Sequence, residues 1–270
     1  MPAITAERDE SGSPDRFGYE WGAYSELLPE YEQQFRRWTP RIAQTDWIGK
    51  TFLDVGCGMG RNSYWPMRYG AAGGVAVDLD SRSLAAAKRT LDGYPTMEVA
   101  CVSAYDLPYT NRFDIVISIG VIHHLEHPGL ALTRMVRAAR PGGQVAIWVY
   151  GAENNRWLTS SLNPFRKALF SRLPMSVVHH LSLYPAALLW LALQLRIWPV
   201  AYFRQIAGFG FAHLRSIVFD QMLPRIAHYW TRAEVEALMQ SAGLQRIQLD
   251  WVNEMSWAAI GTKSDAGESH

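Results

Sequence analysis

A doubly wound α/β fold carrying a helical insertion is what this 270-residue sequence predicts, on three observations. Short β-branched runs alternate with helix-like stretches from Thr51 to Tyr150, the pattern of a parallel sheet covered on both faces. A glycine-rich turn, "VGCGMG", follows the first of those runs and opens a helix. After Tyr150 the alternation stops, and an apolar, arginine-containing stretch over 151–225 intervenes before a helix and two strands close the chain. The length suits one large domain with an insertion, and two independent cores are not expected.

The elements are read as follows. Strands are expected at "TFLDV" (51–55), "GGVAVD" (73–78), "TMEVACV" (96–102), "FDIVISI" (113–119) and "GGQVAIWVY" (142–150). Helices are expected near 60–70, over 81–91 with Ser81 as N-cap, and over 129–140, where Pro141-Gly142-Gly143 closes the last. Later, "TRAEVEALMQSAG" opens with a capping box, Thr231 with Glu234, and stops at Gly243; strands follow at 244–250 and 255–261. Ahead of the sheet, the aromatic "FGYEWGAYSELLPEYEQQFRRW" reads as a helix on the sheet's rim.

Composition excludes several classes. With 26 Lys+Arg against 25 Asp+Glu, nothing global points to a nucleic acid or a membrane. Charge is local instead, with eight basic residues (Arg156, Arg166, Lys167, Arg172, Arg196, Arg204, Arg215, Arg225) against the single acid Asp220 between 156 and 225. Two cysteines, Cys57 and Cys101, are too few for a zinc site or a disulfide framework, so no metal and a reducing cytoplasm are expected. The first 18 residues lack the regions of a signal peptide and read as a polar tail, and the last ten read as frayed. Nothing in the sequence sets an oligomeric state.

In "FLDVGCGMGRN", Gly56, Gly58 and Gly60 stand where the chain turns tightly and a ligand can approach the backbone. At the tip of the next strand, Asp78 of "GVAVDLD" is placed to hold two ribose hydroxyls. Nicotinamide dehydrogenases share such a carboxylate, but their fingerprint needs glycine where Arg61 stands.

Taken with "DLPY", "FDIVISIGVIHHLEHP", "RPGG" and "EVEALMQSAGL", these motifs resemble those of the class I S-adenosylmethionine-dependent methyltransferases. The resemblance implies a Rossmann-like, seven-stranded sheet with S-adenosyl-L-methionine across the carboxyl ends of the first strands. It places Gly56, Gly58 and Gly60 under the donor's amino-acid part, with Asp54, Cys57 and Leu79 close by, and Asp78 on the ribose. Ile119 and Gly120 close the site at the fourth strand. Similar enzymes contact adenine through an Asp just after the third strand; here Ser103 stands there, so Ala104 and Tyr105 become candidates for backbone or stacking contacts. The implied organisation is a tail and helical cap (1–50), a cofactor-binding core (51–150), a helical lid (151–225) and the rest of the core (226–270).

Methyl transfer by in-line displacement asks mainly for alignment and exclusion of water, with a general base only where a proton must leave. Glu153 in "WVYGAENNRW" is the first acid past the fifth strand and is the expected base; His124 and His228 are the alternatives. Tyr19, Trp21, His123, Tyr150 and Asp220 are candidate acceptor contacts. The stretch "SLYPAALLWLALQLRIWPVAY" reads as a helix of about 14 residues between Pro185 and Pro199, roughly 20 Å long and short of a bilayer core of about 30 Å. A helix apolar on nearly every face must be buried or face something apolar, so it is read as a lid whose Leu189 and Leu193 line a hydrophobic acceptor pocket, with core packing alone as the alternative. Its basic flanks suit an anionic lipophile or peripheral contact with an anionic membrane, and no nucleic acid. The function expected is methylation of the O or C of a small, lipophilic acceptor. Two alternatives stay open: a peripheral-membrane or interaction protein that keeps the fold without turnover, and a methyltransferase acting on a macromolecule.

Overall fold

The computed structural model describes residues 13–155, 169–197 and 201–265. A seven-stranded sheet in the order β3-β2-β1-β4-β5-β7-β6 forms its centre. The strands are β1 Thr51–Val55, β2 Gly73–Asp78, β3 Met97–Cys101, β4 Phe113–Ile119, β5 Ala139–Tyr150, β6 Leu244–Val252 and β7 Ser256–Lys263. The first five are parallel, and β7 runs antiparallel to both its neighbours. Because the chain builds β1 to β3 in one direction and then returns to place β4 beside β1, a crevice opens at the carboxyl ends of β1 and β4.

Alternation along the strands creates two apolar layers. Leu53, Val55, Val116, Val145 and Ile147 face one way, onto Leu132 and Met135 of α5 (Pro128–Ala138) and Val235 and Met239 of α10 (Arg232–Ser241). Phe52, Ile115 and Ile117 face the other, onto Trp47, Trp65 of α3 (Arg61–Arg68) and Phe35 of α2 (Glu30–Trp38). The sheet is sealed on both sides, so its free edge for chemistry is the carboxyl end.

Several boundaries differ from the sequence reading, for local reasons. Helix α4 (Ser81–Thr90) is capped by Asp80, whose carboxylate accepts from the N–H groups of Arg82 and Ser83, not by Ser81. Helix α5 stops at Ala138, three residues before Pro141-Gly142-Gly143, because Ala139 is already extended and paired with Phe113. The capping box of Thr231 and Glu234 is present, with Gly243 at φ +87° beyond the helix end. The aromatic segment before the sheet is two helices, α1 (Pro14–Ala23) and α2, parted before Pro29. Neither is confined to a rim, since α1 crosses the glycine turn.

The apolar stretch also departs from expectation. Helix begins at Met175, ten residues earlier than Pro185, as α6 (Met175–Leu181) and α7 (Leu183–Gln194) joined through Ser182, which keeps right-handed helical angles. Pro185 has no N–H for the Leu181 carbonyl, which accounts for the interruption. The stop is a Schellman turn: Arg196 takes φ +58°, its N–H meets the Leu193 carbonyl, and the Ile197 N–H meets that of Ala192. Over Met175–Gln194 the stretch is long and apolar enough to cross a membrane by length and composition, which corrects the 14-residue reading. Pro199, Arg156, Arg166, Lys167 and the outermost residues of both termini lie outside the described residues.

Helix α1 ties the insertion to the core. Arg16, only 3% exposed, donates from Nε to the Leu223 carbonyl and from Nη2 to that of Phe170, both at 2.7 Å. On the core side, Arg82 reaches the Asp15 carbonyl, and Gly18 lies so close to α4 that a Cβ there would sit 1.9 Å from the Asp80 carboxyl carbon. Gly18→Ala should therefore push α1 off α4 and cost about 1–3 kcal/mol, a fall in Tm of several degrees. Differential scanning calorimetry reads it; an unchanged Tm would mean that α1 is not seated on Asp80.

Candidate active site

Three glycines shape the turn after β1 in different ways. Gly56 and Gly58 have φ of +77° and +53°, and a Cβ would strike Val121 at 2.5 Å or the Trp21 indole at 2.7 Å. Bare backbone is thus packed directly beneath α1 and the loop after β4. Gly60, at φ +82°, instead starts α3 against Ala87 of α4 and does not reach the cavity.

Asp78 ends β2 beside that turn. Its Oδ2 accepts from the Gly58 N–H at 2.9 Å, and its Oδ1 from Leu79 and Asp80 at 2.8 and 3.1 Å. Desolvation raises its pKa above the usual carboxylate value, against the pull of those three N–H groups. Below it Asp54, buried and hydrogen-bonded by Ser63 Oγ at 2.7 Å, is pushed up to about 7 by desolvation.

A cavity of about 740 Å³ spreads from here beneath α1 and the insertion. The turn and the end of β2 contribute Gly56, Cys57, Gly58, Asp78 and Leu79; the loop after β3 contributes Ala104; β4 and the segment after it contribute Ile119, Gly120 and His124, and β5 contributes Tyr150. From above come Glu20 and Trp21 of α1, Leu189 of α7, Tyr202 and Gln205 of α8 (Ala201–Ile206), and Asp220 of α9 (Phe211–Met222). Arg61 enters between three rings, its guanidinium 5.0, 4.8 and 5.3 Å from the centroids of Trp21, Tyr31 and Trp38. Glu20 and Asp220 are in side-chain hydrogen-bond contact, and burial followed by the charge of Asp220 drives the Glu20 carboxyl well above the usual range. Tyr150 O–H donates to Asp220 Oδ2 at 3.3 Å.

Other predicted residues lie elsewhere. Glu153, expected as the base, is outside the cavity: its carboxylate accepts from the Arg232 N–H and the Trp257 indole, each at 3.1 Å, and so anchors the start of α10 to β7. His228 is also outside, with Nε2 on the Leu125 carbonyl and its ring stacked on Trp230. His124 does line the cavity, but its Nδ1 is held by the Ile226 carbonyl at 2.8 Å. His123 is fully buried under Tyr150, ring centroids 3.9 Å apart. Ser103 Oγ accepts from the Tyr105 N–H, and Tyr105 is a core residue whose hydroxyl accepts from His127 N–H, so neither faces the cavity. Tyr19 packs on Phe219, and Leu193 packs with Ile206 and Leu214, away from it. Sequence reasoning missed Glu20 and Arg61 as site residues. Glu20 lies 130 positions before Tyr150, with only the aromatic density of "FGYEWGAY" to mark it.

Residues 53–147 match the model of a methyltransferase domain family. The chain is 30% identical over 115 residues to a ubiquinone biosynthesis O-methyltransferase of Nitrobacter winogradskyi, covering 42% of each protein. Against a demethylmenaquinone methyltransferase of Renibacterium salmoninarum identity is 28% over 192 residues, 65% of this chain and 76% of the relative. A tRNA U34 carboxymethyltransferase of Shewanella amazonensis is 27% identical over 136 residues, 43% of this chain and 41% of the relative. The chain thus spans less than half the length of the first of these relatives. A solved SAM-dependent methyltransferase from Aquifex aeolicus superposes with TM-score 0.55 at 14% identity, over 93% of this chain and 98% of that one. Residues 53–147 thus carry a methyltransferase domain, and the seven-stranded sheet has the Rossmann-like α/β fold of the class I S-adenosylmethionine-dependent methyltransferase on which it superposes.

Asp54 makes the site's floor sensitive to pH. An unfolded Asp releases its proton near pH 4, whereas the folded chain holds this one to about 7, so the associated stability is present below about pH 4 and lost as pH rises to 7. Asp54→Asn should remove up to about 4 kcal/mol of that decline. Urea titrations at pH 4, 5.5 and 7 read it; parallel pH dependence in both proteins would refute the shift.

Proposed function

We propose that this chain transfers a methyl group from S-adenosyl-L-methionine to a small, lipophilic acceptor. One observation carries the reading: a single cavity joins the glycine turn and Asp78 to the aliphatic inner side of the lid. The residues suit the donor. Gly56 and Gly58 leave backbone exposed where a side chain could not fit, and Asp78, pre-oriented by three N–H groups, has lone pairs left for ribose hydroxyls. Ala104 and Leu79 would hold the adenine end, and Ile119 and Gly120 would meet the donor at the end of β4. When bound, the donor supplies an electrophilic methyl on a sulfonium. The protein's share is to align, to shield from water, and to remove a proton where the acceptor carries one.

Tyr150 is the pivot between the two halves. It stands two residues past Trp148, whose carbonyl accepts from the Gly120 N–H, so the acceptor side at β5 adjoins the donor side at β4. Leu189 and Tyr202 give that half an apolar wall. The relatives that act in quinone biosynthesis support acceptors of this character. Calorimetry with S-adenosylhomocysteine tests the assignment. The wild type should bind at micromolar Kd or tighter, and Asp78→Ala should weaken binding at least 10-fold; equal affinities would exclude Asp78 from the donor site.

The other side of α7 favours delivery from a bilayer surface. Tyr184, Leu188, Leu191 and Leu195 recur at helical spacing and are 59, 70, 50 and 65% exposed, while Ala186 and Leu193 between them are buried. Exposed Arg172 and Arg196 flank this stripe, which suits an anionic interface. In flotation assays the protein should rise with vesicles containing phosphatidylglycerol and be partly released by salt. Replacing Leu188, Leu191 and Leu195 by Glu should abolish this. Flotation unaffected by the triple variant would sink the docking reading.

A further inference from the structure

Three buried side-chain oxygens that line the cavity have no hydrogen-bond donor among the described residues: Glu20 Oε2, Gln34 Oε1 and Gln205 Oε1. Buried acceptors are costly to leave unpaired, so three around one chamber call for a ligand that brings O–H or N–H groups. An entirely hydrocarbon acceptor would leave them unsatisfied. The polar end of the acceptor therefore belongs near Glu20, with its apolar part against Leu189.

Glu20 is 3% exposed and in contact with Asp220. Asp220 Oδ2 takes the Tyr150 O–H at 3.3 Å, and Gln221 Nε2 donates to the Tyr150 oxygen at 2.8 Å, which fixes the ring and its hydrogen. Among the described residues, the charged and titratable neighbours of the pair include Arg61, Tyr24 and Tyr31 beside Glu20 and Tyr150 and Tyr202 beside Asp220, with Tyr229 stacked on Tyr150. Burial raises Tyr24, Tyr31, Tyr150 and Tyr202 above their ordinary value and keeps them neutral. Two buried carboxyl groups in hydrogen-bond contact do not both ionise. They titrate as a unit that keeps one proton.

We propose that Glu20 and Asp220 form a proton-sharing pair that takes the proton of a hydroxyl-bearing acceptor, Asp220 as the receiving carboxylate and Glu20 as the protonated partner that orients the oxygen. This rests on the methyltransferase reading. The acceptor's O–H bond breaks and its proton passes to Asp220. The freed lone pair forms the O–CH₃ bond, and the electron pair of the broken S–C bond stays on sulfur. Glu153, tied to Trp257 and Arg232, takes no part.

The test uses the full chain with Glu20→Gln, Asp220→Asn and the rescue variant Asp220→Glu, each checked for an unchanged near-UV circular dichroism spectrum. Infrared titration in an Asp54→Asn background, which removes the other carboxyl held protonated to about pH 7, should show a protonated carboxyl above pH 7, lost on adding Glu20→Gln and shifted to lower pH on adding Asp220→Asn. Affinity for S-adenosylhomocysteine should stay within threefold. With methyl-labelled donor and alkyl-tailed catechols and hydroquinones as probes, Asp220→Asn should lower kcat by about 10²-fold or more, with partial rescue by Asp220→Glu. Absence of the carboxyl signal, or its survival in Glu20→Gln, overturns the pair. A loss of S-adenosylhomocysteine affinity of 10-fold or more in either variant overturns it too, by assigning the carboxylates to the donor's ammonium. So does full kcat in Asp220→Asn, or a wild type that binds S-adenosylhomocysteine yet methylates none of the hydroxylated probes. Failure of the wild type to bind S-adenosylhomocysteine defeats the methyltransferase reading itself, whatever the infrared result.

Discussion

The hydrogen bond from the Gly58 N–H to Asp78 Oδ2 is the contact on which the rest of the site depends. It joins the turn after β1 to the tip of β2, two strands already in register through Val55 and Val77. With the loop held there, the left-handed angles of Gly56 and Gly58 turn bare backbone toward the crevice. Any side chain at either position would collide with Val121 or Trp21. A carboxylate with three N–H donors keeps part of its acceptor capacity for a ligand, so one interaction both shapes the loop and presents a recognition group. The cost is desolvation, which raises both Asp78 and Asp54 beneath it.

A floor of this kind is useful only if water is kept from it, and the roof comes from two distant parts of the chain. Helix α1 reaches it through the close approach of Gly18 to Asp80, and the insertion through Tyr202, Gln205 and Asp220. Arg16 joins the two, since its guanidinium serves carbonyls of Phe170 and Leu223 on either side of the insertion. Burying that charge lowers its pKa through desolvation and through the nearby Arg225, a cost set against two charge-assisted hydrogen bonds. Lid and cap are therefore one mechanical unit, and displacing α1 exposes donor and acceptor sides together.

The core was legible because its signals are local. Period-two apolar runs, the glycine turn and the Thr231 to Glu234 box each specify structure within a few residues, and all appear where the sequence puts them. Misses arose where a local rule had a competitor. Ser81 looked like the cap of α4, but Asp80 one residue earlier offers a stronger acceptor to the same N–H groups. Pro185 looked like a helix start, yet a single missing N–H only interrupts a helix already running from Met175. No glycine announced the end of α7, because Arg196 adopts the left-handed angle at the Schellman position.

Site residues on the acceptor side were least legible, and the contrast between Glu153 and Glu20 shows why. Glu153 is near the carboxyl edge of β5 in sequence, but the chain turns past that edge so that its carboxylate meets Trp257 and the start of α10. Proximity along the chain to a strand end is thus no guarantee of facing the crevice; the direction of the next residues decides. Glu20 has no strand near it and is brought over the crevice only by the packing of α1 on α4 and of Arg16 on the insertion. Once there, it is sealed by aromatic neighbours and paired with the single acid of the apolar insertion, Asp220. A lone acid within a long basic and aliphatic segment was itself the readable clue. Such a segment has little reason to keep a carboxylate half-buried against Tyr150 unless that carboxylate meets a partner, and the partner it meets is the one acid of α1 that points inward.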